Sequence, residues 1–221
     1  MAATRVKLTR DAIIDRALEL IEQDGLDRLS TRALGNSLGV QAMALYHYVP
    51  SKDALLDDVT ARLAAMIVIP EPSEDWRRDL ETIARSYIAI ARTNPRAYPL
   101  LAGRRFNSPE TLPILEKVFS IFAAAGLPPD GIAAAFRLLG YFLNGAGMAE
   151  MATREAAGRG DFQLSDPDFL ADHPLARQVV PHLALDQLNG IFEKGLKAIL
   201  DSIENDPARK PKIAASAKFG R

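Results

Sequence analysis

Residues 30–56 constrain the fold more than any other part of the chain, because their spacing is that of a helix-turn-helix that runs into a further helix. Ser30 can cap a short helix on which Leu34 and Leu38 share one apolar face. Gly39 follows that helix and can adopt the left-handed backbone that commonly ends one. The segment therefore predicts a first helix and a tight glycine turn.

A second short helix is predicted over residues 41–48. Leu45 is placed inward, and five other side chains are left for another surface: Ala42, Met43, Ala44, Tyr46 and Tyr48. Two helices joined by a short turn that contains glycine form the unit that lays its second helix in the major groove of DNA. The pattern therefore predicts a DNA-reading element.

The rest of the chain also has helical periodicity, and we find no alternating pattern typical of a strand. Thr9 caps a first helix that ends at Gly25, and Ser51 caps the helix that follows the helix-turn-helix. Pro70 and Pro72 mark a break. Further helices are predicted over 73–93, 96–101, 109–125, 128–157 and 185–204, with a loop that contains at least one helical turn over 158–183. The predicted fold is all-α.

The break divides the chain into two predicted domains. Residues 7–69 form a three-helix DNA-binding domain, with the helix-turn-helix at about 30–49. Residues 73–204 form a larger helical domain for regulation, ligand binding and dimerisation. Residues 205–221 form a basic tail, which we expect to be disordered.

Composition and motif content argue against a metalloprotein, an enzyme and a membrane protein. The 221 residues carry a formal net charge of -1, which argues neither for nor against nucleic acid. Cysteine is absent and the three histidines have no metal-ligand spacing, so we predict no cofactor and no metal. The sequence has no nucleophile–base arrangement and no phosphate-binding glycine loop, so an enzyme is not predicted. We see no signal peptide or membrane span and expect a cytoplasmic protein.

The motifs TRALGNSLGV and LYHYVPSKDALL, with the capped helix before them, resemble the TetR family of one-component bacterial transcriptional repressors. The pattern of Trp76, Tyr87, Asn94-Pro95, Phe136–Gly147 and Phe192–Leu200 is similar to the regulatory domain of the tetracycline repressor subgroup. This resemblance implies a homodimer with two DNA-reading heads and a small-molecule pocket in each regulatory domain.

By this resemblance, DNA is contacted by the start of the helix before the turn, by the recognition helix and by the start of the helix that follows it. The residues concerned are Thr31, Arg32, Gln41, Ala42, Met43, Ala44, Tyr46, His47, Tyr48 and Lys52. Arg5, Lys7 and Arg10 form an N-terminal arm that either reaches the DNA or only solubilises the chain.

Aromatic and apolar residues of the predicted central helices are the candidates for an effector pocket. The set is Tyr87, Tyr98, Leu101, Arg105, Phe106, Phe119, Phe122, Phe136, Tyr141 and Asn144. Ordinary core packing is the alternative for each of them. The stretch YPLLAGRRF lacks the histidine that helps the tetracycline repressor hold a magnesium-bound drug, so a different effector is expected.

Dimerisation is predicted through the long helix, which has many small side chains, and through the last helix. On the last helix the predicted interface residues are Leu188, Phe192, Gly195, Ile199 and Ile203, with the core of a monomer as the alternative. The predicted function is a ligand-responsive homodimeric repressor, released from a palindromic double-stranded DNA operator by a small hydrophobic effector. The alternative is a dimeric adaptor or activator of the same fold without classical operator release.

Overall fold

The structure, a computed structural model, describes residues 8–103, 112–159, 170–183 and 187–210. Every regular element in these ranges is helical, which confirms the all-α class. The α-helices are α1 (Arg10–Asp24), α2 (Thr31–Leu38), α3 (Ala42–Leu45), α4 (Lys52–Ala64), α5 (Trp76–Thr93), α6 (Tyr98–Gly103), α7 (Leu112–Ala124), α8 (Pro129–Arg159), α9 (Pro174–Val179) and α10 (Leu188–Glu204). Two 3-10 helices cover Leu26–Arg28 and Val180–Leu183.

The three predicted helix caps in the N-terminal part are confirmed. The hydroxyl oxygens of Thr9, Ser30 and Ser51 each accept a hydrogen bond from the backbone amide three residues later, at 3.2, 3.1 and 3.1 Å. Each cap satisfies one amide that the first turn of a helix leaves without an intrahelical partner. Local sequence chemistry therefore sets the start of α1, α2 and α4.

The chain forms two compact units. Of the described residues, the first unit contains 8–68 and 89–103, and the second contains 69–88, 112–159, 170–183 and 187–210. Helix α5 contributes its first part to the second unit and its last residues to the first. The domain limits at 7–69 and 73–204 stay a prediction, because compactness alone does not define where a function lies.

The core of the first unit lies where α1 packs on α2 and α4, and where α4 packs on α6. Its fully buried apolar side chains include Ile13, Ile21, Leu34, Val59 and Leu63. The turn before α6 is fastened to the end of α1. The Glu22 carboxylate accepts hydrogen bonds from the amides of Arg96 (3.3 Å) and Ala97 (2.8 Å), and the Arg96 guanidinium donates to the backbone oxygens of Glu22 (3.2 Å) and Gln23.

In the second unit, α8 packs against both α7 and α10. The rings of Phe142 on α8 and Phe192 on α10 stack with centroids 5.5 Å apart. Gly195 makes room for this contact, since a Cβ atom there would lie 2.5 Å from the Phe142 ring. Gly195 thus allows α10 to approach α8 closely at this point.

An ion-pair network joins α5 to α10. Arg77 contacts Asp201 at 2.6 Å and Glu204 at 3.0 Å, while Lys197 contacts Asp201 at 2.6 Å. Arg85 pairs with Glu193 at 3.0 Å. Hydrogen bonds from Lys197 and then Arg77 lower the pKa of Asp201 below its ordinary value.

We predict that Asp201→Asn destabilises the protein in a pH-dependent way. Since the pKa of Asp201 is lower in the folded state, its contribution to stability is present above the unfolded-state pKa and is lost as pH falls through the folded-state pKa. The variant should therefore have a smaller free energy of unfolding than the wild type at neutral pH, and the difference should shrink towards strongly acid pH. Urea titrations over a pH series measure this, and a difference that is independent of pH would contradict it.

The first residues of the predicted tail are packed on the second unit. The Arg209 guanidinium donates to the backbone oxygen of Ala125 at 2.6 Å and lies 5.5 Å from the centre of the Trp76 ring. The amide of Lys210 donates to the Gly126 oxygen at 2.9 Å. The expectation of disorder therefore does not apply to 205–210, and residues 211–221 lie outside the described residues.

Residues 129–155 of α8 are long and apolar enough to pass for a membrane span by length and composition. The expectation that the chain has no membrane span did not take this helix into account. Few of these residues are buried within the chain, and α8 carries Arg137 and Glu150 along its length. We attribute its apolar character to packing on α7 and α10 and to the exposed face described below.

Candidate nucleic-acid interface

The turn between α2 and α3 has the geometry that the sequence predicts. Gly39 has φ 68° and ψ 28°, in the left-handed region, and its amide donates to the Asn36 oxygen at 3.2 Å. The amide of Val40 donates to the Gly35 oxygen at 2.9 Å. The end of α2 is therefore closed by hydrogen bonds, which fixes the direction in which α3 leaves it.

Gly35 holds α3 close to α2, and sequence analysis did not single it out. A Cβ atom at this position would lie 2.9 Å from the Val40 oxygen, 3.2 Å from the Ala42 nitrogen and 3.3 Å from the Ala42 Cα. All three atoms are backbone, so a side chain at residue 35 would displace the start of α3. The sequence signal for this role was a glycine inside a short helix. Glycine destabilises a helix interior, so its presence there usually indicates that close packing leaves no room for a side chain.

Helix α3 is shorter than predicted, because it covers Ala42–Leu45 and not 41–48. The backbone oxygen of Leu45 accepts hydrogen bonds from the amides of both Tyr48 and Val49, at 2.9 Å each, so residues 46–48 form a turn. Pro50 keeps the helix from continuing through Val49, since a residue before proline is disfavoured in helical conformation. The prediction of a two-turn recognition helix was wrong in length.

The structure places the ten candidate DNA-contacting residues at the surface of this helix-turn-helix. Seven of them are exposed: Arg32, Gln41, Met43, Tyr46, His47, Tyr48 and Lys52. Thr31, Ala42 and Ala44 are half-buried. Leu45 is 2% exposed and anchors α3 to the core, as predicted.

The basic side chains near this surface fall into two groups. Arg10 lies in α1 and pairs with Asp58 at 2.8 Å, which raises the pKa of Arg10 above its ordinary value. This corrects the assignment of Arg10 to a flexible arm, while residues 1–7 lie outside the described residues. Within the described part of the chain, Arg32 and Lys52 form no ion pair, so their charges are available to another molecule.

The candidate effector residues do not all lie in one place. In the second unit the Tyr87 hydroxyl donates to the Asn144 side-chain oxygen at 2.5 Å, and Phe119 and Phe136 make an edge-to-face contact at 5.2 Å. Phe122 is fully buried in the same unit. Tyr98 and Leu101 are buried in the first unit, and Tyr141 is 68% exposed on α8. Arg105 and Phe106 lie outside the described residues.

An apolar face is exposed on α8 and α10. Leu138, Tyr141 and Met148 recur at helical spacing on α8, and Ile191 lies on α10. A cleft of about 350 Å³ on this face is lined by Tyr141, Gly145, Ala149, Leu188 and Ile191, among others. Three of the predicted interface residues, Phe192, Ile199 and Ile203, are instead buried within the chain. The large apolar side chains of α10 that another molecule can reach are therefore Leu188 and Ile191.

Two family models match the chain. Residues 13–59 match the model of bacterial regulatory proteins of the tetR family, and residues 69–206 match the tetracyclin repressor-like C-terminal domain. Together they cover most of the described residues. The chain belongs to the TetR family of bacterial regulatory proteins.

Curated relatives and solved structures agree with this membership. The chain is 29% identical over 211 residues to the HTH-type transcriptional repressor DrrR1 of Streptomyces coeruleorubidus, with 89% of this chain and 77% of the relative covered. It is 32% identical over 210 residues to the class C tetracycline repressor protein of Escherichia coli, with 90% and 91% covered. The solved structure of ActR from Streptomyces coelicolor in complex with actinorhodin superposes with a TM-score of 0.75 at 25% identity, over 90% of this chain and 96% of that one.

Proposed function

We propose that this protein is a homodimeric transcriptional repressor of the cytoplasm that binds a palindromic DNA operator and is released by a small hydrophobic effector. The observation that carries the proposal is the surface of the first unit. There a short helix is anchored by Leu45 and flanked by two cations, Arg32 and Lys52, that form no ion pair with any described residue. A helix of this kind in a helix-turn-helix fits the major groove, with the flanking residues on the phosphates.

The flanking side chains supply the donors that phosphates need. Tyr46 and Tyr48 are exposed and carry phenolic hydroxyls. Lys52 stands in the first turn of α4, where backbone amides without intrahelical partners also favour an anion. These groups follow α3 along the chain and Arg32 precedes it, so together they would position α3 without reading sequence.

A single head offers few phosphate contacts, so operator binding requires two heads. The exposed face of α8 and α10 is the proposed dimer interface. A second copy of the chain would cover Tyr141, Leu138 and Ile191 and remove their apolar surface from water, which favours association. Such an interface is isologous and gives the dimer a two-fold axis. An operator with two inverted half-sites follows from that symmetry.

The effector is proposed to be largely aromatic or aliphatic. Tyr87 and Asn144 form a polar pair within the second unit, and Phe119, Phe122 and Phe136 supply apolar and aromatic surface there. Pockets for small molecules usually combine such surface with a few polar groups. A solved relative supports a small-molecule effector, since ActR was solved in complex with actinorhodin. An effector acts by binding one conformation of the dimer better than another.

Replacing Lys52 by alanine tests the DNA-binding part of the proposal. Each phosphate contact contributes about 0.9 to the slope of log affinity against log salt concentration. Loss of one contact in each head should therefore flatten that slope by about 2 and weaken binding to every DNA sequence alike. Fluorescence anisotropy with labelled DNA over a series of salt concentrations measures both effects.

The matched control is Lys197→Ala, which removes the same charge from α10 in the second unit. This variant should keep the salt dependence of the wild type. The alternative function, a dimeric adaptor that no longer binds DNA, predicts that neither the wild type nor either variant binds the labelled DNA. An unchanged salt slope in Lys52→Ala would contradict the repressor proposal.

A further inference from the structure

The recognition helix carries no side chain that can hydrogen-bond to a base. Helix α3 consists of Ala42, Met43, Ala44 and Leu45. Between Arg32 and Lys52 the sequence contains no Lys, Arg, Asp or Glu. The common base contacts by Arg, Lys, Asn or Gln, which use paired hydrogen bonds, are therefore impossible from within α3.

Met43 is the side chain that projects furthest from this helix. It is 71% exposed, the highest value among the large apolar side chains in the described part of the first unit. Met43 and the buried Leu45 are two residues apart, which places them on nearly opposite sides of an α-helix. Its neighbours Ala42 and Ala44 end at Cβ, so the thioether is the one long exposed side chain of α3 itself.

The chemistry of the major groove restricts what such a side chain can recognise. Among the four bases, only thymine presents an apolar group on this edge, its C5 methyl. A flexible and polarisable thioether packs well on a methyl group and desolvates the polar edges of the other bases without compensation. Met43 would thus favour thymine through contact with its methyl group and disfavour the other bases because their polar edges would lose water without gaining a hydrogen bond.

We propose that Met43 is a specificity-determining residue that reads a thymine methyl in each half-site of the operator. The proposal rests on the proposed DNA-binding function and adds the base and the chemical group that are recognised. Tyr46, Tyr48 and Lys52 then hold the phosphates, and Met43 selects the sequence. The operator is expected to tolerate changes in hydrogen-bonding groups opposite α3 better than loss of that methyl.

Deoxyuridine isolates the methyl group, because it differs from thymidine by that group alone. A binding site is first selected from random-sequence DNA with the full-length protein. Each thymine is then replaced by deoxyuridine, in one half-site and in both. One symmetry-related pair of positions should respond. There the affinity of the wild type should fall about fourfold when one half-site carries deoxyuridine and about fifteenfold when both half-sites do, because each replacement removes a contact the size of one methyl group.

The variant Met43→Ala completes a double-mutant cycle. Because Met43 is exposed, its truncation leaves the packing of the first unit intact, which thermal unfolding verifies. Met43→Ala should bind the thymine operator more weakly than the wild type and show no further loss on the deoxyuridine operator. Tyr46→Phe is the control, since it should weaken binding to both operators and keep the full response to deoxyuridine.

Two results would overturn the proposal. One is a selected operator in which no thymine-to-deoxyuridine replacement alters affinity. The other is a loss on deoxyuridine that is as large in Met43→Ala as in the wild type. A failure to select any DNA would instead overturn the proposed function itself, so the two failures are distinguishable.

Discussion

Replacing Ile191 by glutamate should convert the dimer into monomers and nearly abolish operator binding. Ile191 is 49% exposed on α10 and lines the cleft beside Tyr141 and Leu188. By two-fold symmetry, one substitution places two carboxylates in the proposed interface, where they would be buried without partners. Loss of the second head removes an avidity gain on the order of 10²–10⁴, and the operator affinity should fall accordingly.

The substitution is not expected to unfold the chain, because the side chain of Ile191 is already half in water. Leu112→Glu is the matched control, since Leu112 is an exposed leucine on α7 outside the α8–α10 face. It should remain dimeric and bind the operator like the wild type. Sedimentation velocity and anisotropy measure the two properties. An Ile191→Glu protein that stays dimeric with unchanged affinity would show that this face is not the dimer interface.

The second large effect is expected from Gly35→Ala. The added Cβ would approach the Val40 oxygen to 2.9 Å and would also crowd the backbone of Ala42, so α3 must move away from α2. Overpacking of this kind costs roughly 1–3 kcal/mol of folding free energy. Because α3 itself moves, its contacts with DNA are lost even where the protein is fully folded. A loss of about 1.4 kcal/mol of binding energy lowers affinity tenfold, and we expect operator affinity to drop by more than this.

Gly140→Ala is the corresponding control. Among the described residues, nothing lies within 4 Å of a Cβ built at Gly140 on α8. This change should slightly stabilise the protein, because alanine is the better helix former, and it should leave operator affinity unchanged. Denaturant unfolding and DNA titration on both variants separate stability from binding. Wild-type affinity in Gly35→Ala would contradict the role of Gly35 in placing α3.

The features that could be predicted from sequence are those decided within a few residues. A capping oxygen and the amide that it binds are three residues apart, so Thr9, Ser30 and Ser51 could be identified directly. Gly39 was predictable for the same reason, because its left-handed backbone serves the turn in which it stands. Leu45 followed from the inward face of its own helix.

Contacts between distant residues were not predictable. The pairing of Arg10 with Asp58 spans 48 residues, and that of Glu22 with Ala97 spans 75. Nothing in the local pattern of either residue identifies its partner. The same holds for Arg209, whose contacts with Ala125 and Trp76 hold the start of the predicted tail on the second unit. From composition alone, this segment was expected to be disordered.

The candidate effector residues show a further limit. Periodicity shows that α8 is apolar on more than one side, but it does not say which side meets α7 and which stays exposed. Tyr141 and Phe136 were therefore grouped, although the structure puts Phe136 against Phe119 and leaves Tyr141 in water. Membership of these residues in an effector pocket stays a prediction.

The most direct test of the central claim, that α3 lies in the major groove as one of two symmetry-related copies, is a footprint of the full-length protein on DNA. Fragments that cover the promoter of its own gene are titrated at low salt and probed with hydroxyl radicals. Our account predicts a complex of two chains per site, with protected stretches on one face of the duplex whose centres lie about 10–10.5 base pairs apart, or a multiple of this. If no genomic fragment is bound at low salt, or if a single chain protects one stretch alone, the account is contradicted.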